Sequence, residues 1–379
     1  MKFAIKLVAF NFGILFTGVL VAEVIFGSWF GAPQLWSLGV VRDINWKYNV
    51  PGTYRRDSPV HYTRDKWGLR GDFGAPKNVE IVAVGGSTTD EGRVSNDEAW
   101  PEILEACLKS YGINMDIANA GVGGQSSLGH ALNFKKWFNF IPNFNPKFAL
   151  IFLGYNDVLR AGMEGQQDPL TFTGLSNNSN YHKLKKWVKI NSAIYNLIQI
   201  IKGNVIAWNA DLGPVREIRS FISPIDINSY EVDVRDKIYK IRKYVKIGST
   251  VYNKTRDISL SKYSENLKSY RTRLNELDEA AQEFGAIPIY VTQNDWGYWR
   301  EEDRIYGNLA GYHLFNNLNN VTRSFCKTKR RFCVDLAGQY YFGPGDIYDH
   351  IHTTVQGSKK IGNKICKPLS KWFLANGHF

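Results

Sequence analysis

An α/β fold organised around a parallel sheet is predicted by three features of the sequence. Short apolar runs stop repeatedly at polar, glycine-containing loops, helix-patterned stretches separate these runs, and an amphipathic segment closes the chain. Runs of this length that end at glycine fit buried parallel strands, and the intervening segments are long enough for crossover helices. In an open parallel sheet such loops gather along one edge, at the carboxyl ends of the strands, where ligands bind.

The first run, 80–84, stops at Gly85 and Gly86 and precedes a helix-like stretch over 99–110. The second, 115–118, leads to the glycine-rich turn 121–124 and a helix over 127–138. A third, 148–153, stops at Gly154. From about 163 to 261 basic, aromatic, helix-prone sequence interrupts the alternation and reads as a helical insertion. The pattern resumes with a helix over 263–284, a strand over 287–292 and a last strand near 332–336. The loop 349–357 and a terminal helix to about 374 follow.

Residues 7–26 are almost wholly apolar and follow Lys2 and Lys6. At about 1.5 Å per helical residue this segment spans a hydrocarbon layer of about 30 Å. The lysines place the amino terminus in the cytoplasm and the remainder outside it. A cleaved secretory signal is the competing reading, although no convincing small-x-small site follows Val21 and Ala22. The expected organisation is an anchor at 1–26, a wrapping extension at 27–78 rich in Trp, Tyr, Arg, Gly and Pro, and the main domain at 79–379.

A formal charge of +12, from 47 Lys+Arg against 35 Asp+Glu, favours anionic surfaces but identifies no partner. No zinc-finger spacing, RNP-like string or phosphate loop supports nucleic-acid binding. Cys326 and Cys333 flank a basic turn and could close a short disulfide loop, with four free thiols as the alternative. Cys107 and Cys366 occupy helix-like, apolar settings.

Four strings meet the requirements of acyl transfer. Gly85-Gly86-Ser87-Thr88-Thr89-Asp90 places a serine where glycines let the chain turn off a strand, so its hydroxyl can project into a cleft. Taken alone, this string equally suits a helix N-cap. Gly124, within Asn119-Ala120-Gly121-Val122-Gly123-Gly124-Gln125-Ser126-Ser127, and Asn156, within Gly154-Tyr155-Asn156-Asp157, can donate N–H groups to an oxyanion without adding charge. Separately they would read as an ordinary turn glycine and an Asx-type cap.

The fourth string is Asp349-His350-Ile351-His352. An imidazole can take a serine proton near neutrality, and a carboxylate three residues earlier can orient its other nitrogen. Asp346 is an alternative orienter, and His350 suits a structural or substrate-contacting place better than that of the base. His350 and His352 could also ligate a metal, but no further His, Asp or Glu pair at matching spacing completes a site, so neither metal nor cofactor is expected.

The ordered set Ser87, Gly124, Asn156 and Asp349/His352 resembles the SGNH, or GDSL-like, hydrolases, over roughly 79–160 and 263–373. The resemblance implies a flavodoxin-like, three-layer α/β/α sandwich. It also implies Ser87 as nucleophile, the N–H groups of Ser87 and Gly124 with the Asn156 amide as oxyanion hole, and His352 as general base oriented by Asp349. Gly86 and Thr88 stand where the eponymous motif has Asp and Leu, while Gly-Gly-Ser-Thr-Thr is similar to strings in membrane-anchored members. Trp67-Gly68-Leu69-Arg70-Gly71 also resembles a segment ahead of the first strand in such proteins.

The expected substrate is an O-acylated, foremost O-acetylated, glycan or related envelope molecule outside the cytoplasmic membrane. Trp296 and Trp299, just beyond the fourth strand, suit stacking on sugar rings, although buried tryptophans are the commoner case. An O-acyltransferase with a membrane protein partner, a lipase or phospholipase, and a non-catalytic glycan-binding or assembly protein are the alternatives. Within the insertion, Leu184, Trp187, Val188, Ile194, Tyr195, Ile198 and Ile201 recur at helical spacing beside four lysines. That stripe either packs on the domain or rests on an anionic membrane face.

Overall fold

A computed structural model describes residues 2–30, 35–38, 40–50, 58–160, 184, 187–188, 191–209, 243–295, 297–343, 345–349 and 351–378. The first part of the chain comprises α1 (Lys2–Phe26), strands β1 (Ile44–Tyr48) and β2 (Val60–Arg64), then β3 (Val79–Gly85) and the single-turn α2 (Ser87–Asp90). Next come α3 (Trp100–Ser110), β4 (Asp116–Asn119), α4 (Ser127–Leu132), β5 (Phe148–Phe152), α5 (Tyr155–Arg160) and α6 (Ala193–Asn209). The remainder contains β6 (Tyr244–Lys246), α7 (Thr250–Glu283), β7 (Ile287–Val291), β8 (Tyr298–Glu301), β9 (Arg304–Gly307), α8 (Leu309–Lys329), β10 (Cys333–Val334), α9 (Leu336–Gln339) and α10 (Val355–Ala375).

The central sheet has the order β10-β7-β5-β3-β4, with every pair parallel. Its strands carry apolar residues on both faces because both are covered by helices. Ile81 and Ala83 of β3, Phe148, Leu150 and Phe152 of β5, and Ile289 and Val291 of β7 pack with α3 and α10. The alternate residues Val82, Val84, Ala149, Ile151 and Tyr290 pack with Tyr270, Leu274 and Leu277 of α7 and Phe315, Leu318 and Phe325 of α8. This is the expected three-layer sandwich. Its chain order reverses between β3 and β5, which opens a crevice at the carboxyl ends of those strands.

Several elements differ from their sequence-based bounds. The helix expected over 263–284 begins at Thr250, because the Ser249 hydroxyl accepts the Tyr252 N–H and starts it earlier. The helix expected over 127–138 is α4, continued by a π turn at Asn133–Trp137 and a short 3₁₀ turn. Helix α8, unforeseen from the sequence, starts where the Asn308 side chain accepts the Gly311 N–H. The extension contains the antiparallel hairpin β1-β2, and β6-β9-β8 form a second antiparallel sheet.

Both cysteine pairs are disulfides. Cys326–Cys333 closes the short loop, and Cys107–Cys366 joins α3 to α10, a pairing the sequence left open. Among the described residues one helical span, Ile5–Phe26, is long and apolar enough to cross a membrane.

Candidate active site

Strand β3 delivers Ser87 to the sheet edge. Gly86 precedes it as N-cap of α2, so Ser87 occupies the first helical turn, where a backbone N–H has no intrahelical acceptor. Beyond β4, Gly124 adopts φ +77, a left-handed conformation in which a side chain would be strained. Beyond β5, Asn156 lies in the first turn of α5, and its Nδ2 donates one hydrogen to the Gln125 carbonyl at 2.7 Å. An amide nitrogen carries two hydrogens, so a second remains for another acceptor. Gln125 and Asn133 exchange reciprocal amide hydrogen bonds at 2.9 Å each. The buried Asp157 carboxylate accepts both the N–H and hydroxyl of Ser127 and pairs with Arg273 at 3.1 Å. These bonds hold the Gly124 and Asn156 loops side by side.

His352 arrives from the opposite end of the chain on a tight loop. The Tyr348 N–H donates to the His352 carbonyl, and an antiparallel bridge joins Ile347 to Thr353. Within this loop Asp349 uses its two oxygens differently. Oδ1 accepts the backbone N–H groups of Ile351 and His352, and Oδ2 lies 2.7 Å from His352 Nδ1. Burial works to raise the Asp349 pKa. The hydrogen bond and charge of His352, with the two backbone donors, nevertheless hold it below the ordinary carboxylate value. Asp346 is engaged elsewhere, accepting from Tyr340 Oη, Gly343 N, Gln356 Nε2 and Lys360 Nζ.

Ser87 and His352 line one small cleft, about 160 Å³ in empty volume, together with Thr88, Glu91, Arg93, Val94, Tyr348 and Thr353. The Tyr348 ring stacks on the His352 imidazole at 5.7 Å, and the Arg93 guanidinium lies 5.1 Å from the centre of the Tyr348 ring. A serine hydroxyl, an imidazole supported by a carboxylate, and amide donors at neighbouring loops are the parts that acyl transfer requires. Residues 81–365 match the family of the GDSL-like Lipase/Acylhydrolase. The chain belongs to this family.

Solved structures similar to this GDSL-like hydrolase include a putative lipolytic protein of the G-D-S-L family from Desulfitobacterium hafniense DCB-2. It is 11% identical, with 76% of this chain and 99% of that one covered and a TM-score of 0.39. The psychrotrophic esterase EstA from Pseudoalteromonas sp. is 12% identical, with 78% and 99% covered and a TM-score of 0.38. A variant of Axe2, an acetyl xylan esterase from Geobacillus stearothermophilus, is 11% identical, with 78% and 95% covered and a TM-score of 0.38. No curated protein matches the chain. Family membership makes the chain a serine-type ester hydrolase.

Trp299 lies in β8, stacked on Tyr306 at 5.0 Å, and is not among the residues lining the Ser87 cleft. Trp296 and His350 lie outside the described residues.

The site also depends on residues that its motifs did not reveal. Arg64 binds Asp90 at 2.6 Å and donates to the carbonyls of Gly68 and Gly121. Tyr62 donates to the same Asp90 oxygen. Arg70, wholly buried, donates to the backbone carbonyls of Asp90, Glu91 and Val94 and to Asn96 Oδ1, tying down the loop after α2. The extension thus grips the serine turn, and Arg70 was visible only as part of the Trp-Gly-Leu-Arg-Gly string.

Glu91 is the other unforeseen member. It is buried in a left-handed conformation at φ 49, and it accepts from Trp100 N, Thr353 Oγ1 and Ser358 Oγ. These bonds join the serine turn to the residue following His352 and to α10. Burial, only partly offset by those bonds, pushes its pKa up to about 7.

Proposed function

We propose that this GDSL-like enzyme is a membrane-anchored esterase that removes short acyl groups, foremost acetyl, from glycans or related envelope molecules outside the cytoplasm. Ser87 attacks the ester carbonyl while His352 takes its proton, with Asp349 keeping the imidazole oriented through Nδ1. The oxyanion of the tetrahedral intermediate meets the N–H groups of Ser87 and Gly124 and the second hydrogen of Asn156 Nδ2. Collapse expels the alcohol, which regains the proton from His352. Water repeats the sequence on the acyl-enzyme and releases the acid.

The observation that carries this reading is the shared cleft of Ser87 and His352, with Asp349 bonded to the far side of the imidazole. The apolar, exposed helix at the amino terminus supports anchorage.

Assay of the full chain against acetylated glycans, short-chain aryl esters and phospholipids tests the proposal. Acetate release that disappears in Ser87→Ala, with serine-directed fluorophosphonate labelling lost in the same variant, is the expected result. Undiminished hydrolysis by that variant would remove Ser87 as nucleophile, and preference for phospholipid would remove the substrate class.

A further inference from the structure

Helix α6 exposes the face that a water-soluble helix would bury. Leu197, Ile198, Ile201, Val205 and Trp208 are 55%, 54%, 55%, 51% and 77% exposed. Asn196, Gly203 and Ala207 are its buried residues. At about 100° per residue the two sets fall on opposite sides of the helix, so the small and polar side packs on protein while large apolar side chains point outward. Leu184, Trp187 and Val188, just ahead of α6, are exposed as well.

The position of α6 bears on what covers that face. Its amino terminus is held by Glu23, in the last turn of α1, whose carboxylate accepts from Ser192 Oγ, Ala193 N and Ile194 N at 2.5, 2.9 and 3.1 Å. A carboxylate at a helix amino terminus satisfies its orphan N–H groups and complements its dipole. Trp29 Nε1 donates to the same carboxylate, and its ring packs edge-on against Trp187 at 4.9 Å. The Ser28 N–H donates to the Asn191 carbonyl. Helix α6 therefore starts at the level where the apolar helix α1 ends. Tryptophans gather at such membrane–water boundaries. Towards its other end, Ala207 packs among Ile44, Trp46, Val50, Val60 and Tyr62, beneath the β1-β2 hairpin.

We infer that α6 is an interfacial helix whose outward apolar face lies in the lipid surface from which α1 emerges, seating the globular part against the bilayer. This inference rests on the reading of α1 as a retained anchor. It extends that reading, since an anchor alone would leave the domain free to tumble on a tether. The seat continues to the cleft. Tyr48, at the end of β1, donates to the Gly92 carbonyl, and Tyr62 and Arg64 of β2 bind Asp90 beside Ser87. The enzyme then presents its serine at one height above the membrane, to esters carried near the lipid headgroups.

The test uses the full chain reconstituted in phosphatidylcholine/phosphatidylglycerol vesicles, with one environment-sensitive fluorophore at Ile201→Cys, Val205→Cys, Leu15→Cys or Glu283→Cys. Each labelled chain is first required to keep the parent melting temperature. Nitroxide lipids with shallow quenchers should quench positions 201 and 205 at least fivefold more than 283, and deep quenchers should act on 15. If 15 is quenched while 201 and 205 behave like 283, the inference fails and the anchor stands. Shielding of 201 and 205 from aqueous iodide without lipid quenching would mean that a protein surface covers the helix, which also overturns it. Absence of quenching at 15, with release of the chain by alkaline carbonate, would remove the anchor and the seat together.

Discussion

Glu91→Gln isolates the free energy of a buried charge beside the serine turn. Glu91 is 4% exposed, and its pKa is pushed from the ordinary 4.5 to about 7. A carboxyl with a higher pKa in the folded state binds more protons folded than unfolded between those two values. Stability therefore falls as pH rises from about 4.5 to about 7 and levels off above. At 1.36 kcal/mol per tenfold change in proton affinity, ionising Glu91 costs the fold about 3 kcal/mol. Glutamine keeps the shape and needs no charge. Its carbonyl can accept from Trp100 N and Ser358 Oγ, and its amide can donate to Thr353 Oγ1, with that hydroxyl rotated. Glu91→Gln should thus leave stability near pH 5 within about 1 kcal/mol of the parent and raise it by about 3 kcal/mol at pH 8. Urea unfolding of both chains in detergent micelles, at half-unit steps from pH 5 to 8.5, measures the difference. A parent-minus-variant difference that stays flat across that range would refute the burial argument.

Asp349→Asn presents an amide to His352 Nδ1 and favours the wrong tautomer, so kcat should fall on the order of 10³–10⁴-fold with KM little changed; steady-state kinetics on a short-chain ester checks this. Asn156→Ala removes one donor of the proposed oxyanion hole and should lower kcat by about 10²–10³-fold in the same assay. Arg64→Met takes the cation from the Asp90 carboxylate, which keeps the Tyr62 hydroxyl, and should destabilise the fold by about 1–3 kcal/mol, read as a lower urea midpoint. Replacing Cys107 and Cys366 together with alanine opens a link between residues 259 positions apart and should cost about 2–5 kcal/mol, measured against the parent under non-reducing conditions.

The sheet was legible because β5, β7 and residues 81–84 of β3 are apolar runs, the signature of strands covered on both faces. Helix α8 was hidden by composition. Asn316, Asn317, Asn319 and Asn320 are poor helix formers, although Tyr312, Phe315, Leu318, Thr322 and Phe325 recur at three- and four-residue spacing and are buried. The hairpin β1-β2 was obscured differently. Ile44, Trp46, Val60, Tyr62 and Arg64 point inward at period two, but an inward arginine breaks the expected alternation. The Cys107–Cys366 pairing follows from the packing of α3 on α10, which no spacing encodes. Ser87, Gly124, Asn156, Asp349 and His352 stood out because each belongs to a local string. Arg64, Glu91 and Tyr348 did not, because their partners are set by the tertiary fold, and Arg70 showed only as part of the Trp-Gly-Leu-Arg-Gly string.

The departure of the serine block from the family's eponymous string has a physical counterpart in this packing. Gly86, where that string has Asp, adopts φ −85, which any residue tolerates. Its requirement for glycine is one of space, since a β-carbon there would strike Asn156 Nδ2. A β-carbon on Gly85 would strike Thr89, and one on Gly121 would strike the backbone of Asp90. Bare backbone at these positions lets the loops after β3, β4 and β5 close to contact distance. An aspartate at 86 would push the Asn156 amide away from the Ser87 turn and place a negative charge beside the proposed oxyanion hole. Gly86→Asp should therefore impair this chain by displacing Asn156, even though it brings the string closer to the family's own. Gly86→Ala separates the two effects, because it adds the β-carbon without the charge. A fall in kcat shared by both variants would identify displacement by the β-carbon as the cause, whereas an active Gly86→Ala with an inactive Gly86→Asp would assign the loss to the carboxylate.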